Sequence, residues 1–264
     1  MNREKVNGVE LEYEVRGAGE PLLLIDMLIA DCFMPLLLEP ALADRYQLIR
    51  YHKRGWVGST HTPPPVSIAE HAADAAALLE HLDVRRAHVV GHSTGASIGA
   101  QLALDHPEKV HTLTLLEPTL LSLPLGGAFL QAAGPVFEAY GSGDHAGAFA
   151  MFVSAASGLD RERCRALLEE RIPGVVAQSV KDADTFFGVE LPAVAEWTFG
   201  PEQAAALRRP VLSVIGAETQ PLWVEIAEFL RSSLPHVEEC TIDGVGHLLP
   251  VSYTHLTLPT TPYV

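Results

Sequence analysis

Two rhythms of apolar positions divide this chain. Apolar and β-branched runs predict strands over 21–25, 46–51, 87–91, 110–116, 209–216 and 237–242. The unbroken run Pro21-Leu22-Leu23-Leu24-Ile25 is what a strand buried on both faces carries. Alternation of apolar and polar residues over 5–15 predicts a hairpin that turns at Asn7-Gly8 and closes at Gly17 and Gly19. Between the strands the period lengthens to that of a helix. One helix is expected over 30–44, with Leu36, Leu37 and Leu38 supplying its apolar surface. A second opens at the capping box Ser67-Ile68-Ala69-Glu70 and runs to about residue 82, with Ile68, Ala72, Ala75, Leu79 and Leu82 on one face. Further helices are expected from 94 to about 106 and over 221–234. Strands alternating with helices specify a mostly parallel sheet covered on both faces.

From 119 to about 199 that alternation stops. Helical patterns over 129–140, 145–156, 161–171 and 174–187 follow one another with no strand between them, so this stretch is expected to be a helical cap inserted after a strand. The remaining 1–118 and 200–251 form the core. Phe129, Phe137, Phe149, Phe152, Phe186, Phe187 and Trp197 are spread through the inserted stretch. Most of them are expected to pack the cap, and a few to line an apolar pocket. The ending, 252–264, has no charge, two prolines and no helical period where a closing amphipathic helix is expected. It reads as an atypical tail, either non-native sequence after a truncation or a genuine extended ending. Loss of a closing helix would leave apolar area open and favour a homodimer.

One stretch carries the candidate chemistry. The apolar run ending at Gly91 leads into Gly91-His92-Ser93-Thr94-Gly95 and then a segment of small residues. A Gly-x-Ser-x-Gly between a strand and a helix is the setting of a serine nucleophile. The turn must be tight, so its flanks cannot carry a Cβ where strand and helix crowd. It would lift the Ser93 hydroxyl off the sheet edge and offer the Thr94 N–H to an oxyanion at a helix N-terminus. Late in the chain, Gly244-Val245-Gly246-His247 sets a histidine in a glycine-rich loop after the last strand.

Composition narrows the reading. The 264 residues carry a net charge of −15, which argues against a polyanionic partner such as a nucleic acid. No apolar run is long enough to span a membrane, and Met1-Asn2-Arg3-Glu4-Lys5 leads into no secretory h-region. Cys32, Cys164 and Cys240 are odd in number and far apart, which suits a reducing, cytoplasmic setting. The 12 histidines include no His-Glu-x-x-His or comparable cluster, so no metal site is expected.

Ser93 in its elbow, the late His247 and the stretch inserted after the post-nucleophile strand together resemble the α/β-hydrolase family, over roughly residues 5 to 250. The resemblance implies an α/β-hydrolase fold and acyl transfer, with chain order Ser, acid, His. Ser93 would attack a carbonyl, His247 would take and return its proton, and a carboxylate would hold the imidazole. In that family the acid commonly lies three residues past the glycine ending the strand at 209–216. Here that residue is Thr219. Glu117, at the end of the strand after the nucleophile helix, is the first choice. Glu218 is the second and Asp243 a remote third. The resemblance also places an oxyanion donor after the strand at 21–25, where the family has His-Gly and this chain has Asp26-Met27. The donor would be the backbone N–H of Leu28, with that of Thr94. In Tyr51-His52-Lys53-Arg54-Gly55 the family often has Asp before Arg-Gly, and His52 is expected to be a structural substitute. The expected activity is cleavage of small, largely apolar carboxylic esters, with no cofactor. Lactone, C–C bond or amide hydrolysis on the same residues stays open, as does a hydrolase-like binding protein that has lost turnover.

Overall fold

The computed structural model describes residues 1–252, so most of the atypical ending, 253–264, lies outside the described residues. Eight strands form one sheet in the order β1-β2-β4-β3-β5-β6-β7-β8. They are β1 (Asn2–Val6), β2 (Val9–Arg16), β3 (Glu20–Ile25), β4 (Tyr46–Tyr51), β5 (Ala87–His92), β6 (Val110–Leu116), β7 (Val211–Gly216) and β8 (Val237–Ile242). The first two form the expected hairpin. Asn7 and Gly8 both turn through positive φ, 47° and 81°, which a two-residue turn requires. From β4 onward every pairing is parallel. The central strands are the most apolar because helices cover both their faces.

Gly91 and Gly95 explain themselves sterically. A Cβ on Gly91 would overlap the carbonyl of Gly95, and one on Gly95 would overlap the carbonyls of Ile25 and Asp26. The helix Thr94–Asp105 can therefore start directly against the end of β3. The helix Ile68–His81 begins with the full capping box. Ser67 accepts from the Glu70 N–H, and Glu70 accepts from the Ser67 N–H.

The helix expected over 30–44 is instead two four-residue helices, Met34–Leu37 and Pro40–Ala43. Pro40 is the cause: it starts a helix but holds Glu39 before it in an extended conformation, ψ 111°. Seven helical stretches separate β6 from β7. Pro124–Ala132 and Gly134–Gly141 replace the single helix expected over 129–140, with a proline in the first turn of each. His145–Ser157 and Arg161–Arg171 are capped by Asp144 and Asp160, whose side chains accept from Gly147 and Arg163. After Val175–Lys181 the chain continues helically from Ala183 to Glu196, passing through a π-turn at Phe186–Glu190. The wider turn keeps Phe186, Phe187 and Glu190 all buried. Pro201–Ala206 completes the segment, and Pro221–Ser233 packs beside β7. Among the described residues no helix is long and apolar enough to cross a membrane.

Candidate active site

Parallel strands end at one edge of the sheet, and three loops there bring Ser93, Glu117 and His247 together. Ser93 follows β5 with φ 53° and ψ −119°, a conformation that costs a residue with a Cβ. Its N–H donates to the Leu116 carbonyl at 2.9 Å, and its own carbonyl accepts from Ala96 and Ser97. Glu117 follows the neighbouring β6, also at positive φ, 41°, with its N–H tied to the Val214 carbonyl. Strain at both strand ends is held by these ladder-like bonds.

His247 Nδ1 lies 2.7 Å from Glu117 Oε2, and its Nε2 lies 3.2 Å from Ser93 Oγ. With Nδ1 donating to the carboxylate, Nε2 is left free to accept from the hydroxyl. Both side chains of the Glu117–His247 pair are buried. The carboxylate also accepts from the Gly216 N–H at 2.8 Å and from Thr219 Oγ1 at 3.0 Å. Thr219, where the resemblance places an acid, thus donates its hydroxyl to the Glu117 carboxylate. Glu218 and Asp243 are exposed, and neither meets His247. The imidazole stacks on Trp223, centroids 3.6 Å apart and planes within 4°. Its backbone carbonyl accepts from His92 Nε2 at 2.8 Å. Burial pushes the pKa of His92 well below the usual histidine value, so this ring stays neutral with its proton on Nε2.

The residues expected to donate to an oxyanion flank the same place. Thr94 opens the helix after Ser93, and Leu28 lines the cleft beside Ser93 and His247. Neither backbone N–H has a partner among the described residues. The loop after β3 has no glycine to shape it, and Asp26 does so instead. The Asp26 carboxylate accepts from Asp31 N–H, Phe33 N–H and Cys32 Sγ, and burial raises its pKa. Lys53 donates to the carbonyls of Asp26 at 3.1 Å and Met27 at 2.8 Å, and pairs with the buried Glu190. His52 is held between Glu12 and Asp31, each 3.0 Å from one ring nitrogen. Burial works against its protonation, but the two carboxylates outweigh it and raise its pKa. This ring has no contact with Ser93, as expected of a structural substitute.

A narrow, largely apolar cleft rises over Ser93 between Leu121, Phe129, Phe152, Phe186, Leu191 and Leu248. Of the aromatics in the inserted stretch, Phe129, Phe152 and Phe186 line it, while Phe137 is exposed and Trp197 stacks on Phe199. Among the described residues no three His, Cys, Asp or Glu side chains converge as metal ligands. Sequence reasoning missed Thr119, whose hydroxyl is 3.0 Å from Ser93 Oγ, and with it Trp223, Lys53, Glu190 and the contact of Thr219 with Glu117.

The model of the α/β-hydrolase fold matches residues 30–252. The chain belongs to the α/β-hydrolase family. A protein of Azorhizobium caulinodans provisionally named carbamate hydrolase RutD is 41% identical over 109 residues, 40% of each chain. The uncharacterized hydrolase YraK of Bacillus subtilis is 34% identical over 130 residues, 48% of each chain. The stretches matched therefore span just under half the length of these curated relatives. The α/β-hydrolase MGS-M2, from a deep-sea metagenome library of the Medee basin, superposes with a TM-score of 0.79 at 16% identity. That match covers 98% of this chain and 100% of the other, and at this identity it speaks for the fold alone. An α/β-hydrolase of this kind builds its site where the parallel strands end, which is where Ser93 stands.

Proposed function

We propose that this α/β-hydrolase is a serine hydrolase that cleaves carboxylic esters of small, largely apolar substrates through an acyl-enzyme on Ser93. The observation that carries the reading is the continuous path from Glu117 Oε2 through His247 to Ser93 Oγ, at 2.7 and 3.2 Å. Ser93 Oγ attacks the ester carbonyl while His247 Nε2 takes its proton. Glu117 holds the imidazole in the right tautomer and stabilises the imidazolium. The carbonyl oxygen becomes an oxyanion facing the N–H groups of Thr94 and Leu28. His247 then protonates the departing alcohol, and water repeats the sequence to release the acid. In this reading 119–199 is the cap, and its Phe129, Phe152 and Phe186 receive the apolar part of the substrate above the core of 1–118 and 200–251.

The test is hydrolysis of p-nitrophenyl acetate and butyrate by the wild-type protein and by Ser93→Ala. Turnover lost in the variant supports the reading, and equal turnover in both removes it. Carbamates form a second reading, supported by the name of the Azorhizobium relative. They pass through the same tetrahedral oxyanion, so a p-nitrophenyl carbamate assayed beside the ester ranks the two.

A further inference from the structure

We propose that Lys53 and Glu190 are a positioning pair that aims both oxyanion donors, so that the oxyanion hole is complete only when the helical segment carrying Glu190 is docked. The proposal rests on the reading of Ser93 as the acylated residue.

The two side chains lie 137 positions apart in sequence and are 2% and 0% exposed. An ammonium has three protons, and Lys53 has three acceptors: the carbonyls of Asp26 and Met27 and Glu190 Oε1. The ammonium is therefore saturated and fixed in place. The peptide joining Met27 to Leu28 is planar and trans, so its C=O and N–H point in opposite directions. Leu28 lines the cleft over Ser93 and Lys53 does not. With the Met27 carbonyl drawn back onto the ammonium, the Leu28 N–H is turned toward the cleft. The positive charge on the carbonyl oxygen also polarises the amide and strengthens its N–H as a donor.

Glu190 extends the same control to the other donor. Its Oε1, already on Lys53, accepts from Thr94 Oγ1 at 3.0 Å, and its Oε2 accepts from Trp56 Nε1. Thr94 is the first residue of the nucleophile helix, and its own N–H is the second oxyanion donor. One carboxylate oxygen thus ties together the residues behind both donors. It comes from the π-turn Phe186–Glu190, whose Phe186 walls the cleft. The segment that receives the substrate therefore also completes the groups that stabilise its oxyanion. Stability alone is a weak reason for such a pair, because apolar side chains of similar size commonly replace a buried ion pair without loss. The absence of glycine after Asp26 supplies a better one: a loop without that freedom has to be held from behind.

The experiment compares the wild type with Lys53→Met/Glu190→Leu, which removes both charges together and leaves no buried ion unpaired, and with Glu190→Gln. Melting temperature and circular dichroism establish folding. The readouts are kcat and KM for p-nitrophenyl butyrate, and inhibition by an alkyl trifluoromethyl ketone that forms a hemiketal oxyanion on Ser93. The matching trifluoromethyl carbinol forms no oxyanion and serves as the ground-state control. Because removal of one oxyanion donor costs roughly 100- to 1,000-fold in kcat, misaiming is expected to lower kcat in the double variant by about 10- to 100-fold. Ketone affinity should fall by a similar factor, while KM and carbinol affinity change less than about threefold. The acid limb of the pH profile should stay where it is, because Glu117 and His247 are untouched. A folded double variant with wild-type kcat and ketone affinity overturns the proposal. So does one in which ketone and carbinol affinities fall together, which is the signature of mere cap adhesion. A wild type that forms no hemiketal overturns the Ser93 reading first, and the pair's role with it.

Discussion

The proposed site has two halves, and they are built in different ways. The relay half, Glu117–His247–Ser93, hangs from the ends of β5 and β6 and from the loop after β8. Neighbouring parallel strands end side by side, so a residue just past β6 is within reach of one just past β5 whatever covers the sheet. The proposed oxyanion half depends on a loop with no glycine, a lysine after β4 and a glutamate from the inserted helices. Its parts meet only after tertiary packing. A parallel sheet delivers one half of such a site by topology, and the other must be assembled from side chains that have no register to guide them.

The sharpest way to break this contrast is to disable the relay while leaving its shape. Glu117→Gln keeps the volume but can present an amide N–H to His247 Nδ1, which favours the wrong tautomer. The expected loss in kcat is about 10⁴-fold, measured on p-nitrophenyl esters, with KM little changed. A loss under tenfold would mean that another group orients the imidazole.

Acid should destabilise the fold through a histidine buried beside the Lys53–Glu190 pair. His71 is fully buried near Lys53 and Glu190, and burial lowers its pKa to about 4. A histidine depressed in the folded state makes unfolding absorb a proton, so stability is lost as pH falls from about 6.5 toward 4. By pH 5 the loss is about 2 kcal/mol. Denaturant titrations at pH 7 and 5 should show this difference in the wild type and not in His71→Leu. An equal difference in both would assign the effect elsewhere.

The smallest expected effect sharpens the contrast within the relay. Thr219→Val removes one of three hydrogen bonds to the Glu117 carboxylate and keeps those from Gly216 and His247. A hydrogen bond to a charged group is worth about 1.5 kcal/mol at its lower end, so kcat should fall about tenfold. A fall as large as that of Glu117→Gln would show that Thr219 sets the position of the acid rather than adding to its support.

How much of this was legible in the sequence follows the same division. The elbow was readable because Gly91 and Gly95 sit where any Cβ would overlap backbone, and strand ends put Glu117 within reach of His247. The choice between Glu117 and Glu218 was open in one dimension, because both lie at the end of a strand next to the nucleophile's side of the sheet. Burial separates them: the first points inward to three donors and the second is exposed. Helix breaks were missed where apolar spacing outran the prolines, as at Pro40. Lys53 and Glu190 were invisible as a pair, since one of two adjacent cations in a turn-rich loop and an acid in an apolar helix carry no mark of a partner 137 residues away. The π-turn that keeps Glu190 buried has no sequence signature of its own.

Covalent labelling tests the role of Ser93 without relying on any substrate. The wild-type protein is treated with a fluorophosphonate, digested and mapped by mass spectrometry. A single phosphonyl adduct is expected on the peptide containing Ser93, formed in step with loss of esterase turnover, and slowed by orders of magnitude in His247→Ala. An adduct on another serine that tracks the loss of turnover, or undiminished turnover with Ser93 fully modified, would contradict that role.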